Sequence, residues 1–511
     1  MRLFLLLIAT LLSGVGSAQE PSKNDVQRCG TAPVIDPWLR AYAERPQDFV
    51  QQRSDDTLYV GLQVHLLAKD NGSGRFTPER LLTAFCQLNA DYAASGIRFY
   101  FKGDWDLINN TAWYQHSTIP QGIDMMLTNN VPDALNIYFS STAADNCGYN
   151  LPYAGISIMH SCATTGTHTW AHEIGHALSL PHPFIGWEGK NYSAANPTPL
   201  KVTYDYTYFH DTLDTQFPVP LDTALVEFLD GSNCTIASDL ICDTKPDYLS
   251  YGWNCDAQNY STVKQYDPAG AEFYSDGSLF MSYSADNCQN RFSDEEVAAM
   301  RANLLSEKTD WLADGPEEQD ITQLPALLIP AEGENTPTAG VVLSWSAVPN
   351  ATHYLLQYTR VSSFAVKEFE VVTTDTTFTT GNLAPNKNYY WRVRPFNHWY
   401  ACTSNSPQQS FFTTPATSVS NPGKDAWRCY PSLLAPGRPL SIEIGEDWIG
   451  QNSLFSVYDV AGNLMWHTTV TPSQTRFGLS LPSATWPAGV YRLIFTGEKG
   501  LKTQSILLTA G

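Results

Sequence analysis

Sixteen residues, "THTWAHEIGHALSLPH" (167–182), carry four histidines and one glutamate and leave the chain few ways to fold around them. His172 and His176 lie four apart, so a helix here carries both imidazoles on one face. Glu173 is turned by about 100° around the same helix, beside whatever the histidines hold. Pro181 cannot continue a helix, so the chain must turn, and the turn can swing His182 back towards the other two. Three neutral nitrogens leave a tetrahedral metal one open position. That donor set suits zinc, which lowers the pKa of a water in the open position to about 7, with Glu173 placed to deprotonate it. Incidental core histidines explain HExxH alone; the third histidine argues for a shared metal. Glu188 and Glu227 are the alternative ligands should His182 fail.

With His182 included, the segment resembles the metzincin signature HExxHxxGxxH. Ser179 stands where that signature has glycine. Serine in the left-handed conformation costs about 1–2 kcal/mol, so the turn is expected to differ in shape while the zinc site survives. Further on, "DLICDTKPD" (239–247), Met281-Ser282-Tyr283, Asp286, Cys288 and "RFSDEEVAAMR" (291–301) resemble the pappalysins, the cytophagalysin-type metzincins, over about residues 25–305. The resemblance implies a zinc endopeptidase in which Tyr283 stabilises the tetrahedral oxyanion and Met281 is structural. It implies that Asp286 lies at the base of the pocket for the residue after the cut, favouring cleavage before Arg or Lys; a solvated aspartate capping a turn is the alternative. It also implies calcium at Asp239, Asp243 and Thr244, hard oxygen donors that suit this ion. Lys245 departs from the usual Asp-Thr-Pro, and a solvated acidic loop explains the same residues. "RCGT" (28–31) resembles the cysteine switch of some pappalysin zymogens, so Cys29 is expected to close the fourth zinc position in a latent form. A disulfide from Cys29 to Cys86 is the alternative.

The first twenty residues, "MRLFLLLIATLLSGVGSAQE", read as a secretory signal peptide over 1–18: Arg2, an apolar run from Leu3 to Leu12, then small residues to Ala18. The run is shorter than the about 20 residues a spanning helix needs, and no later segment is apolar enough. The chain is therefore expected outside the cytoplasm, secreted or on the cell surface, where its ten cysteines can pair. A formal charge of −21 argues against nucleic acid as a partner, since phosphates must be met with cations.

At 511 residues the chain exceeds one hydrophobic core, and composition shifts along it mark the domains. The fold class expected is multidomain: an α/β (metzincin) catalytic domain followed by two all-β sandwich domains. Residues 19–53 form a polar latency segment, with self-processing expected between Gln52 and Arg53. The catalytic domain covers 54–312. Within it "TLYVGLQVHLL" alternates as a half-buried strand. Thr77 and Pro78 open a helix that Gly96 ends, and strands follow at 97–101, 135–139 and 154–159. Ser293 caps a helix over 293–305. An acidic linker (307–325) leads to residues 324–415, where Trp345, Leu383-x-Pro385, Tyr389 and "WRVR" resemble a fibronectin type III module. In 425–511, "CYPSLL", "YDVAGN" and "WPAGVYRLIF" resemble the C-terminal sorting domain of type IX secretion in Bacteroidetes, which implies the secretion machinery as a partner. One more adhesive sandwich is the alternative.

Loop lengths suggest Cys147–Cys162 and Cys255–Cys288, then Cys234–Cys242 and Cys402–Cys429, leaving Cys86 as a buried thiol. The chain thus reads as a secreted zinc endopeptidase acting on proteins or peptides. Its rivals are a zinc hydrolase of other amides, and an adhesin whose protease domain has decayed.

Overall fold

The computed structural model describes residues 27–49, 56–152, 154–203, 223–415, 427–460, 462–498 and 500–509. The expected signal peptide and the Gln52–Arg53 processing point lie outside them. The chain divides into two units, Met1–Asp320 with Asn397–Cys402, and Ile321–Phe396 with Thr403–Gly511.

The first unit is built on β2 (Leu58–Ala68), after the short strand β1 (Gln27–Cys29). β2 pairs in parallel with β3 (Ile97–Phe101), β4 (Asp106–Asn109) and β5 (Leu135–Ser140). Alternation suggested a half-buried strand, yet every residue of β2 except Tyr59 is buried. The polar positions tolerate this because they find partners: Gln63 Nε2 donates to the Asp104 carbonyl at 3.1 Å, and His65 meets Asp106 and Asn136 oxygens at 3.0 Å each. A strand paired in parallel with its neighbours belongs to the kind of sheet that is covered on both faces, and its sequence pattern no longer reports one wet side. Outward from β5 come β7 (Gly155–Met159), parallel to it, and β6 (Asn146–Leu151), antiparallel to β7. β1 then pairs in parallel with β6, Cys29 opposite Gly148.

The helices that frame the site have local causes. α1 (Pro37–Glu44) starts at Asp36, whose Oδ1 accepts the Trp38 amide at 2.8 Å, with proline in the first turn. α2 (Pro78–Asp91) buries Leu81, Leu82, Phe85 and Leu88 on one stripe, and Gly96, at φ +67°, closes the short turn that follows it. α3 (Thr111–Tyr114) and α4 (Ile119–Asn129) pack beside β2 and β5. α5 (Thr169–Ala177) is the HExxH helix, and it lies against β6 and β7. α6 (Asp294–Ser306) begins with a capping box: Glu296 N donates to Ser293 Oγ while Ser293 N donates to Glu296 Oε2. Among the described residues no helix is long and apolar enough to cross a membrane.

The second unit holds two β-sandwich cores. In the first, a three-stranded sheet (Leu327–Ile329, Val342–Trp345, Thr377–Thr379) is accompanied by a five-stranded one built on His353–Thr359 and Lys387–Phe396. Trp345, Leu356, Trp391 and Phe411 fill it, and the Tyr389 hydroxyl accepts the Ala384 amide at 3.0 Å, the corner contact of such sandwiches. The second again combines three strands with five, around Leu440, Ile442, Phe455, Leu493 and Phe495.

Candidate metal centre

α5 is short and buried along its whole second half. Its placement depends on two glycines. A Cβ on Gly175 would come within 2.4 Å of Met281 Sδ, so the bare backbone lets the methionine lie directly against the helix between the ligand positions. A Cβ on Gly148 would meet Glu173 Cγ at 2.8 Å, so β6 approaches the glutamate as closely as a backbone can. α5 ends in a Schellman turn: Leu180 N donates to Gly175 O at 2.9 Å and Ser179 N to His176 O at 3.0 Å. The left-handed residue of this turn is Ser179, at φ +72°. Beyond it Pro181 and His182 return to the helix face.

The Nε2 atoms of His172, His176 and His182 converge: 3.1 Å between the first two, 3.1 Å from His176 to His182, and 3.2 Å from His172 to His182. His172 Nδ1 lies 2.8 Å from the Phe280 carbonyl and His176 Nδ1 2.7 Å from the Leu180 carbonyl. A carbonyl accepts, so in these two rings the proton sits on Nδ1 and the Nε2 lone pairs point at one another. His182 Nδ1 faces Glu188 Oε1 at 3.5 Å. Burial lowers the pKa of His176 and takes His182 down to about 3, which keeps both neutral. Converging lone pairs repel unless a cation lies between them. Tetrahedral ligands about 2.0–2.1 Å from zinc stand about 3.3–3.4 Å apart, close to the spacing found, so the residues present fit zinc.

Residues of the β1 segment close the site. Cys29 Sγ lies 3.4 Å from His176 Nε2 and 3.6 Å from Glu173 Oε2, and it joins the three histidines in one buried four-donor cluster. Thr31 Oγ1 donates to Glu173 Oε2 at 3.0 Å and itself accepts the Asn150 amide of β6 at 2.8 Å. The Tyr283 hydroxyl donates to the Cys29 carbonyl at 3.2 Å. Glu173 is fully buried, and its Oε1 has no hydrogen-bond partner among the described residues. Burial pushes this carboxyl up to about 8 against the pull of the Cys29 and Thr31 hydrogen bonds. Burial, then the Glu173 charge, pushes the Cys29 thiol well above its ordinary range. A dication inverts that logic and favours the thiolate.

The remaining expected residues are placed as follows. Tyr283 packs against His182 and Phe184, ring centroids 4.9 and 4.5 Å away. Asp286 is half-buried in the segment between Tyr283 and Cys288. Asp239 and Thr244 meet, Thr244 Oγ1 donating to Asp239 Oδ2 at 3.0 Å, whereas Asp243 turns to α6 and accepts the Glu295 amide at 2.9 Å. Glu227 is not beside the histidines; it is a buried carboxyl that burial, then the Asp239 charge, pushes up to about 9, while burial raises Asp239 to about 7. Thr31 escaped the sequence reading, as did the carbonyls of Phe280 and Leu180; position two after the RCGT cysteine was the available signal for Thr31.

Disulfides join Cys147 to Cys162, Cys234 to Cys242 and Cys255 to Cys288. Two expectations need correction. Cys402 is bonded to Cys86 and not to Cys429, and Cys86 is therefore not a thiol. Asn397–Cys402 belongs to the first unit, where Trp399 stacks on Tyr100 with centroids 3.8 Å apart and brings Cys402 within reach of α2. Cys429 stays a thiol in a sandwich core, and Cys29 stays a thiol at the histidines, not bonded to Cys86.

No family model matches the chain. Over 207 residues, 36% of this chain and 67% of the relative, it is 24% identical to an extracellular metalloprotease of Arthroderma gypseum. Among solved structures it is similar to a promirolysin variant of Tannerella forsythia, at 15% identity and a TM-score of 0.38, covering 56% of this chain and 96% of that one. It is also similar to the sixth fibronectin type III domain of human fibronectin type III domain-containing protein 3, at 14% identity and a TM-score of 0.16, covering 21% and 97%.

Proposed function

We propose that this chain is a secreted zinc endopeptidase of the pappalysin type, held latent by residues 19–53 and carrying a fibronectin type III module and a type IX sorting domain. One observation carries the reading: three imidazole lone pairs and a thiol converge beside a buried glutamate with an unoccupied oxygen. His172, His176 and His182 would hold the zinc, which when bound supplies Lewis acidity and a nucleophile at neutral pH. Glu173 takes a proton from the attacking water and passes it to the leaving amine. Tyr283, whose hydroxyl already donates to a peptide carbonyl of the β1 segment, donates to the developing oxyanion in the same way. In the latent chain Cys29, beside His176, would supply the fourth ligand to the metal and Thr31 engages the base, so both reacting groups would be masked together.

The half-buried Asp286 forms the base of the pocket for the residue after the cut and selects Arg or Lys, because charge-assisted hydrogen bonds are about twice as strong as neutral ones. The calcium site of the reading is Asp239, Asp243 and Thr244, supported by the burial of Asp239 with Thr244 against it and a second buried carboxyl, Glu227, near by. The extracellular metalloprotease relative supports the reading; an adhesin or a hydrolase of other amides has no such support.

Processed protein lacking residues 1–53, given casein and a peptide library, tests it. Cleavage before Arg and Lys is expected, absent in Glu173→Ala and stripped of its basic preference in Asp286→Ala. Zinc bound with no peptide cut points to another amide, and no zinc at one equivalent points to the adhesin.

A further inference from the structure

The turn that ends α5 places Ser179 at φ +72°, a conformation that glycine adopts freely and serine does not. This turn matters to the metal centre, because the Leu180 carbonyl just after Ser179 orients His176 and the chain then delivers His182. The serine side chain is not idle. Its Oγ accepts from Asn303 Nδ2 of α6 at 3.0 Å and donates to Asp36 Oδ2 at 2.8 Å. Asn303 is fully buried, and Asp36 uses its other oxygen to cap α1. Glycine would relieve the backbone and lose both contacts.

We propose that Ser179 is a positioning residue shared by two partners. Asn303 anchors the turn that aims His176 and His182. Asp36 takes the hydroxyl proton in the latent chain, so the segment is latched to the metal-binding turn at a second point besides Cys29. The inference rests on the latency reading above. Release of Asp36 need not strand the hydroxyl: Asn303 Oδ1 has no hydrogen-bond partner among the described residues, and a turn of that amide lets Ser179 donate to it. The α1 segment is also tied to α6 by Trp38 Nε1, which donates to Ser306 Oγ at 2.9 Å, so the latch joins an existing seam.

The full-length chain in a Cys429→Ala background tests this by the rate at which Cys29 reacts with a thiol reagent in native buffer. Asp36→Asn keeps the helix cap and removes the charged acceptor, so labelling should quicken about tenfold, the loss expected for one charge-assisted hydrogen bond. Ser179→Gly should quicken it equally, and the double variant no further, because the two residues share one contact. Processed Ser179→Ala, which keeps the strained backbone and loses the anchor, should release zinc to a chelator faster than Ser179→Gly. Parental labelling in Asp36→Asn, additive effects in the double variant, or equal zinc release from the alanine and glycine variants would overturn the proposal. A parallel Cys29→Ala chain separates the two ideas. If it stays inactive, the thiol is not the blocker, while the labelling rate of Cys29 in Asp36→Asn and the zinc release of the two processed Ser179 variants still decide the latch.

Discussion

Cys29 and Cys429 are both buried thiols, and their surroundings differ in kind. Cys29 touches an imidazole, a carboxylate and a backbone amide. Cys429 lies in an apolar cluster with Leu440, Ile442 and Phe495, where burial alone pushes its thiol up to about 12. In the first place burial strips water from ionisable groups that then need a cation. In the second it strips water from carbon, and the thiol behaves as a small hydrophobe. Damage to the first region should therefore appear as lost chemistry and metal, and damage to the second as lost stability.

The largest expected effect is at the zinc ligands. His182→Ala should fail to retain zinc and lose hydrolysis altogether, and a chelator should do the same to the parent while lowering its melting temperature only modestly. Metal analysis and calorimetry check both; full zinc retention in His182→Ala would remove it from the ligand set. Next comes the sandwich core. Trp391→Ala should cost its sandwich about 3–5 kcal/mol in denaturant unfolding and leave zinc content and peptide cleavage as they were. Loss of zinc in that variant breaks the comparison. The smallest effect sharpens it. Glu188→Gln should leave the fold intact and weaken zinc binding about 10–100-fold, because a carboxylate facing a ligand imidazole raises its basicity and an amide does not. Unchanged affinity in a chelator competition would make Glu188 a buried carboxyl with no part in the metal centre.

Much of the site was legible in advance because its geometry is local. Two histidines four apart share a helix face in any protein, and the proline before His182 forces the return. Other features resisted. β6 (Asn146–Leu151) escaped notice because "NCGYNL" has no apolar alternation; it is recognised by its neighbours, and its Gly148 by the room Glu173 needs. β2 read as half-wet because Gln63 and His65 are polar, and only their partners on other strands make them buried.

By itself, then, the sequence determined the HExxH helix, the helix starts at Thr77–Pro78 and Ser293, the strand-rich character of residues 324–511, and the types of donor available to a metal. These follow from dihedral preferences and side-chain spacing within a few turns of chain. The tertiary structure alone decided that Cys402 meets Cys86 across 316 positions, that Thr31 reaches Glu173, and that Ser179 shares its hydroxyl between Asp36 and Asn303. Such pairs form only when sheet register and helix packing bring distant segments to hydrogen-bond distance, and no local propensity encodes that encounter.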